Sequence, residues 1–168
     1  MAAKLFVSSP TIDADVFLVL RVFDSAGKEV VFIGSNDPRV PVGLGWLRAS
    51  HRKLDPELTL PYRPYHTHDA IEPLTPDVPV ALEIELWPTS IVVPAGYRVA
   101  LTVRGKDYEY GGGSGGRLSN FKNELTGCGP FLHDDPQDRP AALFGRQTTL
   151  HFGGDRQAYL LLPIVPPK

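Results

Sequence analysis

A run of glycines around a single serine is the first feature of this sequence that could carry chemistry. Residues 110–118 read YGGGSGGRL and contain G-x-S-x-G centred on Ser114, which is the pattern of a nucleophile elbow. The same run contains G-x-G-x-x-G beginning at Gly111, which is the pattern of a loop that binds dinucleotide phosphates. The two patterns predict different functions, so the elements on either side of the glycines must decide between them.

Those flanking elements support neither pattern. A nucleophile elbow needs a buried parallel strand directly before the serine and a helix after it. The apolar strand predicted here ends near Val103 and is followed by the polar residues KDYEY at 106–110. A dinucleotide loop must join a strand to a helix within a βαβ unit, and the sequence shows no such unit. We therefore predict a flexible surface loop in which Ser114 has no catalytic role.

The remaining candidates for covalent catalysis have no diagnostic spacing. Serine, histidine and aspartate are all present, but no spacing selects a catalytic triad. We interpret Cys128, in TGCGP, as a small residue in a turn. The sequence therefore predicts no catalytic residue in this chain.

Two histidines could begin a metal site. His66-x-His68, followed by Asp69, would place two imidazoles on one face of an extended segment, and His133-Asp134-Asp135 could complete a zinc or transition-metal shell. Local spacing determines no third ligand. We therefore interpret these histidines as hydrogen-bonding groups at a surface or interface and predict neither a metal nor another cofactor. The alternative is a metal-dependent enzyme, which would purify with stoichiometric metal.

The segment at 47–69, LRASHRKLDPELTLPYRPYHTHD, concentrates basic, histidine and tyrosine side chains. It could bind an anion, a sugar or an acidic partner, or it could be a long ordered loop held by salt bridges and prolines. Two tryptophans outside this segment could stack on sugar rings, although tryptophans beside strand ends are more often packed and partly buried. The candidate ligand or interface residues are Trp46, Arg48, His66, His68 and Trp87.

Length and charge narrow the class of protein. The 168 residues fit one domain, residues 1–168, which can bury roughly 70% of the surface that the unfolded chain exposes. A formal net charge of −2 does not favour nucleic-acid binding, and the longest purely apolar run, residues 16–20, is far too short to cross a bilayer. Because there is one cysteine and no export signal is recognisable, we expect a reducing cytoplasm.

Proline content and apolar spacing predict an all-β chain. The 17 prolines are about twice the average usage and leave few windows for a long helix. DVFLVLRVF at 15–23 is apolar at nearly every position, which predicts a strand covered on both faces and a core hairpin with VVFIG at 30–34. VPVALEIELW at 78–87 and YRVALTVR at 97–104 alternate, so we expect two strands with one wet face, paired as a second hairpin.

Three further elements complete the prediction. TTLHF at 148–152 and AYLLLPIV at 158–165 are typical of short strands. Apolar residues at i, i+3 and i+7 predict one helix within RLSNFKNELTG at 117–127. Strands joined by turn-rich loops without alternating helices indicate a β-sandwich or jelly roll.

Four blocks of the sequence, in order, resemble a known family. They are KLFVSSPTIDADVFLVLRVFDSAGKEV, GWLRASHRKLDPELTLPYRPYHTHD, LEIELWPTSIVVPAGYRVALTVRGKDYE and HDDPQDRP…TLHFGGDRQAYLLLPIVP. Together they are similar to the C-terminal region of serine hydrolases of the cocaine esterase and X-Pro dipeptidyl-peptidase type. The resemblance implies a jelly-roll β-sandwich of the galactose-binding-like type. It also implies that the catalytic serine, aspartate and histidine belong to a preceding α/β-hydrolase domain, to which this chain has no match.

The resemblance implies a function, a partner and two site residues. The chain would be the non-catalytic C-terminal domain that packs on the catalytic domain, in cis or in trans, with Leu5 and Phe6 as walls of the acyl pocket. Family members place one or two strands before this point, so we expect the sandwich to lack them. The uncovered apolar face would then favour self-association. The alternative function is a free-standing carbohydrate-binding jelly roll, which fold-level analogy alone suggests.

Overall fold

The computed structural model describes residues 1–33, 39–109 and 132–166, which form strands with very little helix. A 3₁₀ turn at Ala49–His51 and one α-helical turn, α1 (Ala141–Phe144), are the helical elements of this part of the chain. No helix within it has the length and apolar character needed to cross a bilayer. The strands are β1 (Ala2–Ser8), β2 (Asp15–Phe23), β3 (Glu29–Val30), β4 (Gly43–Arg48), β5 (Val80–Glu85), β6 (Arg98–Arg104), β7 (Thr149–His151) and β8 (Tyr159–Leu161).

The strands form two antiparallel sheets, each built around one central strand. In the first sheet, β5 pairs with one edge of β1, while β7 and β8 share its other edge. In the second sheet, β6 pairs with one edge of β2, and β4 and β3 follow one another along the opposite edge. Two strands of the chain therefore hold most of the backbone pairing.

The sheets bury one shared apolar core. β1, β5 and the residue after β5 contribute side chains from the first sheet and β2 from the second, and the largest fully buried ones in this core are Leu18, Leu82, Ile84, Leu86, Val7 and Val16. Burying a side chain of this size contributes about 1.5–3 kcal/mol, so this core is the main source of stability. The predicted all-β sandwich is confirmed. Its jelly-roll connectivity and the expected lack of N-terminal strands stay predictions.

The apolar patterns of the sequence predicted the buried faces of β2 and β5 correctly, but they did not predict which strands pair. β2 is covered on both sides, and β5 directs Leu82, Ile84 and Leu86 into the core, as predicted. The predicted hairpin between 78–87 and 97–104 is wrong, because β5 pairs with β1 and β6 pairs with β2. After Leu86 the chain crosses to the other sheet through a connection that contains prolines, which lack the N–H that a ladder needs.

The hairpin of β2 and β3 is confirmed only in part. The turn at 24–28 is present, with Gly27 at a positive φ of 84°, but β3 pairs with β2 through two residues only. Val30 packs against the core, but Phe32 and Ile33 beyond β3 are exposed, so the predicted strand reaches the core only at its start. The predicted helix at 117–127, the glycine run at 110–118 and Cys128 lie outside the described residues.

Strand β4 was not predicted, because its sequence GLGWLR contains two glycines. It forms because it pairs with residues 15–20 of β2. Gly45 also lies directly against the backbone of Glu85 and Leu86 in the other sheet, where a Cβ atom would overlap the Glu85 carbonyl oxygen. Trp87 N donates to Leu44 O at 2.8 Å beside this contact. The absent side chain therefore lets the two sheets meet.

Replacing Gly45 with alanine should destabilise the fold, because the added methyl group must displace backbone atoms. We expect the free energy of unfolding to fall by about 1–3 kcal/mol in urea titrations followed by tryptophan fluorescence. The matched control is Gly105→Ala, since a Cβ there has no atom within 4 Å. Equal stability of the two variants would contradict the close-approach argument.

Candidate functional site

A cleft of about 550 Å³ opens where β4, the 3₁₀ turn, the loop at 64–68 and the end of β5 meet. All five candidates that the sequence suggested for a ligand or interface line this cleft: Trp46, Arg48, His66, His68 and Trp87. Its volume lies within the range of small-molecule sites. The structure thus brings the five residues together, and their role remains a prediction.

The two tryptophans are exposed rather than packed in the core. Trp46 is 48% and Trp87 63% exposed. Leu86 is fully buried, so its neighbours Glu85 and Trp87 project to the outer side, where the Trp87–Leu44 backbone bond places them beside β4. Trp46 is held in place by Phe17 and by His133, at ring centroid distances of 6.2 and 4.5 Å. The cleft therefore offers aromatic surface that no described residue covers fully.

Four charged side chains form a network at one end of the cleft. Arg48 donates two hydrogen bonds to Asp15, at 2.9 and 3.0 Å, and two more to Asp138, at 2.9 and 2.8 Å. Arg139 Nε lies 2.7 Å from the second oxygen of Asp15, an ionic contact that is not aligned as a hydrogen bond. The Asp15 side chain is only 2% exposed. The network therefore holds a buried carboxylate between two guanidinium groups.

The electrostatics of this network follow from these contacts. Hydrogen bonds from Arg48 lower the pKa of Asp138, and those to Asp15 and Asp138 raise the pKa of Arg48 above its ordinary value. Aromatic rings support the cations, since the Arg48 guanidinium lies 4.5 Å from the Phe144 ring centroid and that of Arg139 lies 5.3 Å from Phe17. Arg48 thus stays charged, and both guanidinium groups are held in place.

A second buried carboxylate positions the 3₁₀ turn that carries His51. Asp13 accepts hydrogen bonds from the backbone N–H groups of Ala14 and Ser50, both at 2.9 Å, and from the Ser50 hydroxyl at 2.6 Å. Ala49 N donates to Ala14 O at 2.8 Å. These bonds hold the turn against the start of β2, and so place His51 at the cleft.

Three of the four histidines that line the cleft, His51, His66 and His68, lie close to one another. His51 Nδ1 and His68 Nδ1 are 3.1 Å apart, so one of the two rings donates its proton to the other. His66 and His68 have ring centroids 6.1 Å apart. His68 adopts a positive φ of 53°, which is uncommon for a residue with a side chain and often marks a functional constraint.

The fold changes the titration of His66. Burial lowers its pKa, nearby His68 acts in the same direction, and a backbone hydrogen bond at Glu83 opposes them. Its Nε2 atom is buried without a hydrogen-bond partner. Near neutral pH this ring therefore adds no positive charge to the cleft.

The described residues do not form the metal site that the spacing of His66 and His68 suggested. Within 1–33, 39–109 and 132–166, no three His, Cys, Asp or Glu side chains are placed to hold one ion. His133 does not join His66 and His68, since its Nδ1 lies 2.9 Å from Asp107 Oδ1 and its ring packs on Trp46.

The two residues that the resemblance assigns to a pocket wall lie elsewhere, on β1. Leu5 is buried in the core. Phe6 projects to the outer face of the first sheet, where it pairs with Ala81 and His151 on the neighbouring strands. Neither lines the cleft.

Sequence reasoning missed four charged residues of this site: Asp15, Glu85, Asp138 and Arg139. The available signal was an acidic residue at the start of a strand that is otherwise buried, because a carboxylate in that place needs a partner. The partner itself was not predictable, since Arg139 is far along the chain.

The chain is similar in sequence and in structure to known proteins. The chain matches the family model of the X-Pro dipeptidyl-peptidase C-terminal non-catalytic domain over residues 1–161. It is similar to two crystal structures of a CocE/NonD family hydrolase from Staphylococcus aureus, each 32% identical with a TM-score of 0.64. The similarity covers 75% of this chain and 24% of the hydrolase chain, so this chain spans about a quarter of that length. No curated protein sequence matches it.

Removing the buried charge should destabilise the fold strongly. In Asp15→Asn the two arginines lose the carboxylate that compensates them, so we expect the free energy of unfolding to fall by about 3 kcal/mol in urea titrations. The matched control is Asp138→Asn, whose side chain is 61% exposed and whose loss should have a much smaller effect. Similar losses in both variants would argue against a role of burial.

The lowered pKa of His66 predicts a pH dependence of stability. The unfolded chain, with an ordinary histidine pKa of about 6.5, binds a proton more readily than the folded chain. The free energy of unfolding should therefore fall as the pH drops below about 6.5, and should level off below the folded-state pKa. Urea titrations at pH 7.5 and 5.5 measure this difference.

The variant His66→Gln should reduce that pH dependence. His151→Gln is the control, because His151 lies on β7 outside the cleft and bonds to Ser8. A pH dependence that His66→Gln leaves unchanged would show that other groups cause it.

Proposed function

Because the chain belongs to the family of X-Pro dipeptidyl-peptidase C-terminal non-catalytic domains, we propose that it is the accessory β-sandwich of a serine hydrolase that cuts esters or peptide bonds. The chain packs on a catalytic domain of the α/β-hydrolase type and helps to shape its acyl or substrate pocket. The observation that carries this proposal is the family match over residues 1–161. Similarity to a CocE/NonD family hydrolase, of which the chain spans about a quarter, supports it.

One serine–histidine contact in the described part of the chain needs a separate interpretation. Ser8 Oγ lies 2.9 Å from His151 Nε2, which is the distance of a nucleophile from its base. Ser8 is buried within β1, however, and no described carboxylate bonds to the histidine to orient it. We interpret the contact as a link between β1 and β7.

The outer face of the first sheet is the surface that we propose to meet the catalytic domain. Phe6 lies on it, together with the exposed side chains of Tyr159 and Leu161, which pair with Lys4 and Ala2 across β1 and β8. Phe6 is the pocket wall in this proposal, while Leu5 holds the strand from the core side. Where no catalytic domain covers this face, the same apolar side chains favour self-association.

A carbohydrate-binding module is the second candidate. It is favoured by one observation, the exposure of both Trp46 and Trp87 along a single cleft. Binding of the purified chain on a glycan array, lost in Trp87→Ala, would support it.

The proposed accessory role predicts the size of the native protein and the inactivity of the isolated chain. The native product, detected in lysate with an antibody to this chain, should be several times heavier than 18.4 kDa or should co-purify with a separate hydrolase. The purified chain should not hydrolyse p-nitrophenyl acetate or an X-Pro anilide above background. Activity of the chain alone that is lost in Ser114→Ala or Ser8→Ala would contradict the proposal.

The pocket role is tested in that native hydrolase. Phe6→Ala should change the ratio of kcat/KM between a short and a bulky acyl ester by about tenfold, because a pocket wall discriminates by size. Leu161→Ala, on the same face, is the control for docking. An unchanged ratio in Phe6→Ala would remove Phe6 from the pocket while leaving the accessory role intact.

A further inference from the structure

The charges that line the cleft are compensated except for one carboxylate. Asp15 and Asp138 are paired with Arg48 and Arg139, so this network carries no net charge. The side chain of Glu85 also lines the cleft and forms no hydrogen bond or ion pair with a described residue. Apart from its histidines, the cleft therefore carries one uncompensated negative charge.

The aromatic side chains of the cleft, like Glu85, favour a positively charged ligand. The faces of an indole ring carry negative potential and attract ammonium and guanidinium groups, tryptophan more strongly than other aromatic residues. Trp46 and Trp87 are both exposed in the cleft, and exposed Tyr65 adds a third ring. Neutral sugars also stack on such rings, but they do not need an unpaired carboxylate beside them.

Backbone geometry holds the carboxylate and the rings close together. Gly45 lies against the carbonyl of Glu85, and Trp87 N bonds to Leu44 O, so the Glu85–Trp87 segment runs directly beside the segment that carries Trp46. Both segments belong to paired backbone rather than to a free loop. The site is therefore preorganised, which reduces the entropy lost on binding.

We propose that this cleft binds an organic monocation, a substituted ammonium or guanidinium group, with Glu85 as counter-ion and Trp46 and Trp87 against its apolar flanks. The cation has two possible sources with the same chemistry. It is either a free small molecule or a lysine or arginine side chain of the catalytic domain. The site does not depend on the accessory role, because the isolated chain contains all three residues.

The test uses choline as the probe and 3,3-dimethylbutan-1-ol as its uncharged isostere. Titration of the purified chain with choline should quench or shift tryptophan fluorescence with saturation at millimolar concentrations. The alcohol should bind at least about tenfold more weakly, because it lacks the charge that Glu85 and the indole faces recognise. Equal binding of the two probes, or no saturable response to choline, would overturn the proposal.

Variants connect the response to the named residues. Glu85→Gln keeps the side-chain shape and removes its charge, and Trp87→Leu keeps an apolar side chain and removes the indole. Each should weaken choline binding by about tenfold. The matched control is Glu83→Gln, the preceding outward carboxylate of β5, which pairs with Lys4 at 3.1 Å outside the cleft.

Thermal midpoints of all variants verify that they are folded. Choline binding that Glu85→Gln leaves unchanged would refute the role of the carboxylate. Saturable binding of methyl glucoside that is equally insensitive to this variant would instead assign the cleft to a sugar.

The native hydrolase distinguishes the two sources of the cation. Choline binding by both the isolated chain and the full-length protein indicates a site for a free ligand. Binding by the isolated chain alone indicates that a basic side chain of the catalytic domain occupies the cleft, and N-acetyl-arginine amide should then compete with choline in the isolated chain. Failure of the accessory role would appear separately, as a native product of 18.4 kDa without an associated hydrolase.

Discussion

The contact between Gly45 and the backbone of Glu85 is the constraint on which both the sandwich and its cleft depend. Each sheet is built around one central strand, β1 or β2, and has an apolar face that the other sheet must cover. At Gly45 the edge of one sheet reaches the backbone of the other, because no side chain separates them. The same contact places Trp46 beside Glu85 and Trp87, and thus one glycine determines where the aromatic surface of the cleft forms.

Buried charge stabilises the other end of the cleft. Asp13 holds the 3₁₀ turn through hydrogen bonds, and Asp15 holds Arg48 and Arg139 through ionic contacts. A hydrophobic replacement of such a network is often as stable, so its presence is better explained by the geometry that it imposes than by the energy that it adds. Here that geometry directs β4, the turn and the segment after residue 132 to a common point, beside a cleft whose own charge remains unbalanced.

The two surfaces of the domain are suited to different contacts. The outer face of the first sheet is partly apolar, with Phe6, Tyr159 and Leu161, and this mixture of polar and apolar side chains is typical of interfaces between domains of one chain. The cleft is concave, aromatic and acidic, and lies at the junction of the sheets. A non-catalytic domain with both surfaces could contact a catalytic domain and also recognise a cation, and either contact could exist without the other.

The sequence by itself determined the properties that depend on neighbouring residues. Alternation identified the buried face of β5 and, in β6, Leu101 and Val103, although Val99 is exposed. The continuous apolar run identified β2 as covered on both sides, and the ordered blocks identified the family. Only the tertiary structure decided which strands pair, because backbone hydrogen bonds carry no side-chain signal and both hairpin and crossover satisfy the same alternation. It also decided that GLGWLR is a strand, that Asp15 meets Arg139, and that five candidate residues share one cleft. Contacts between residues far apart in the chain depend on how the sheets are packed, which local spacing does not encode.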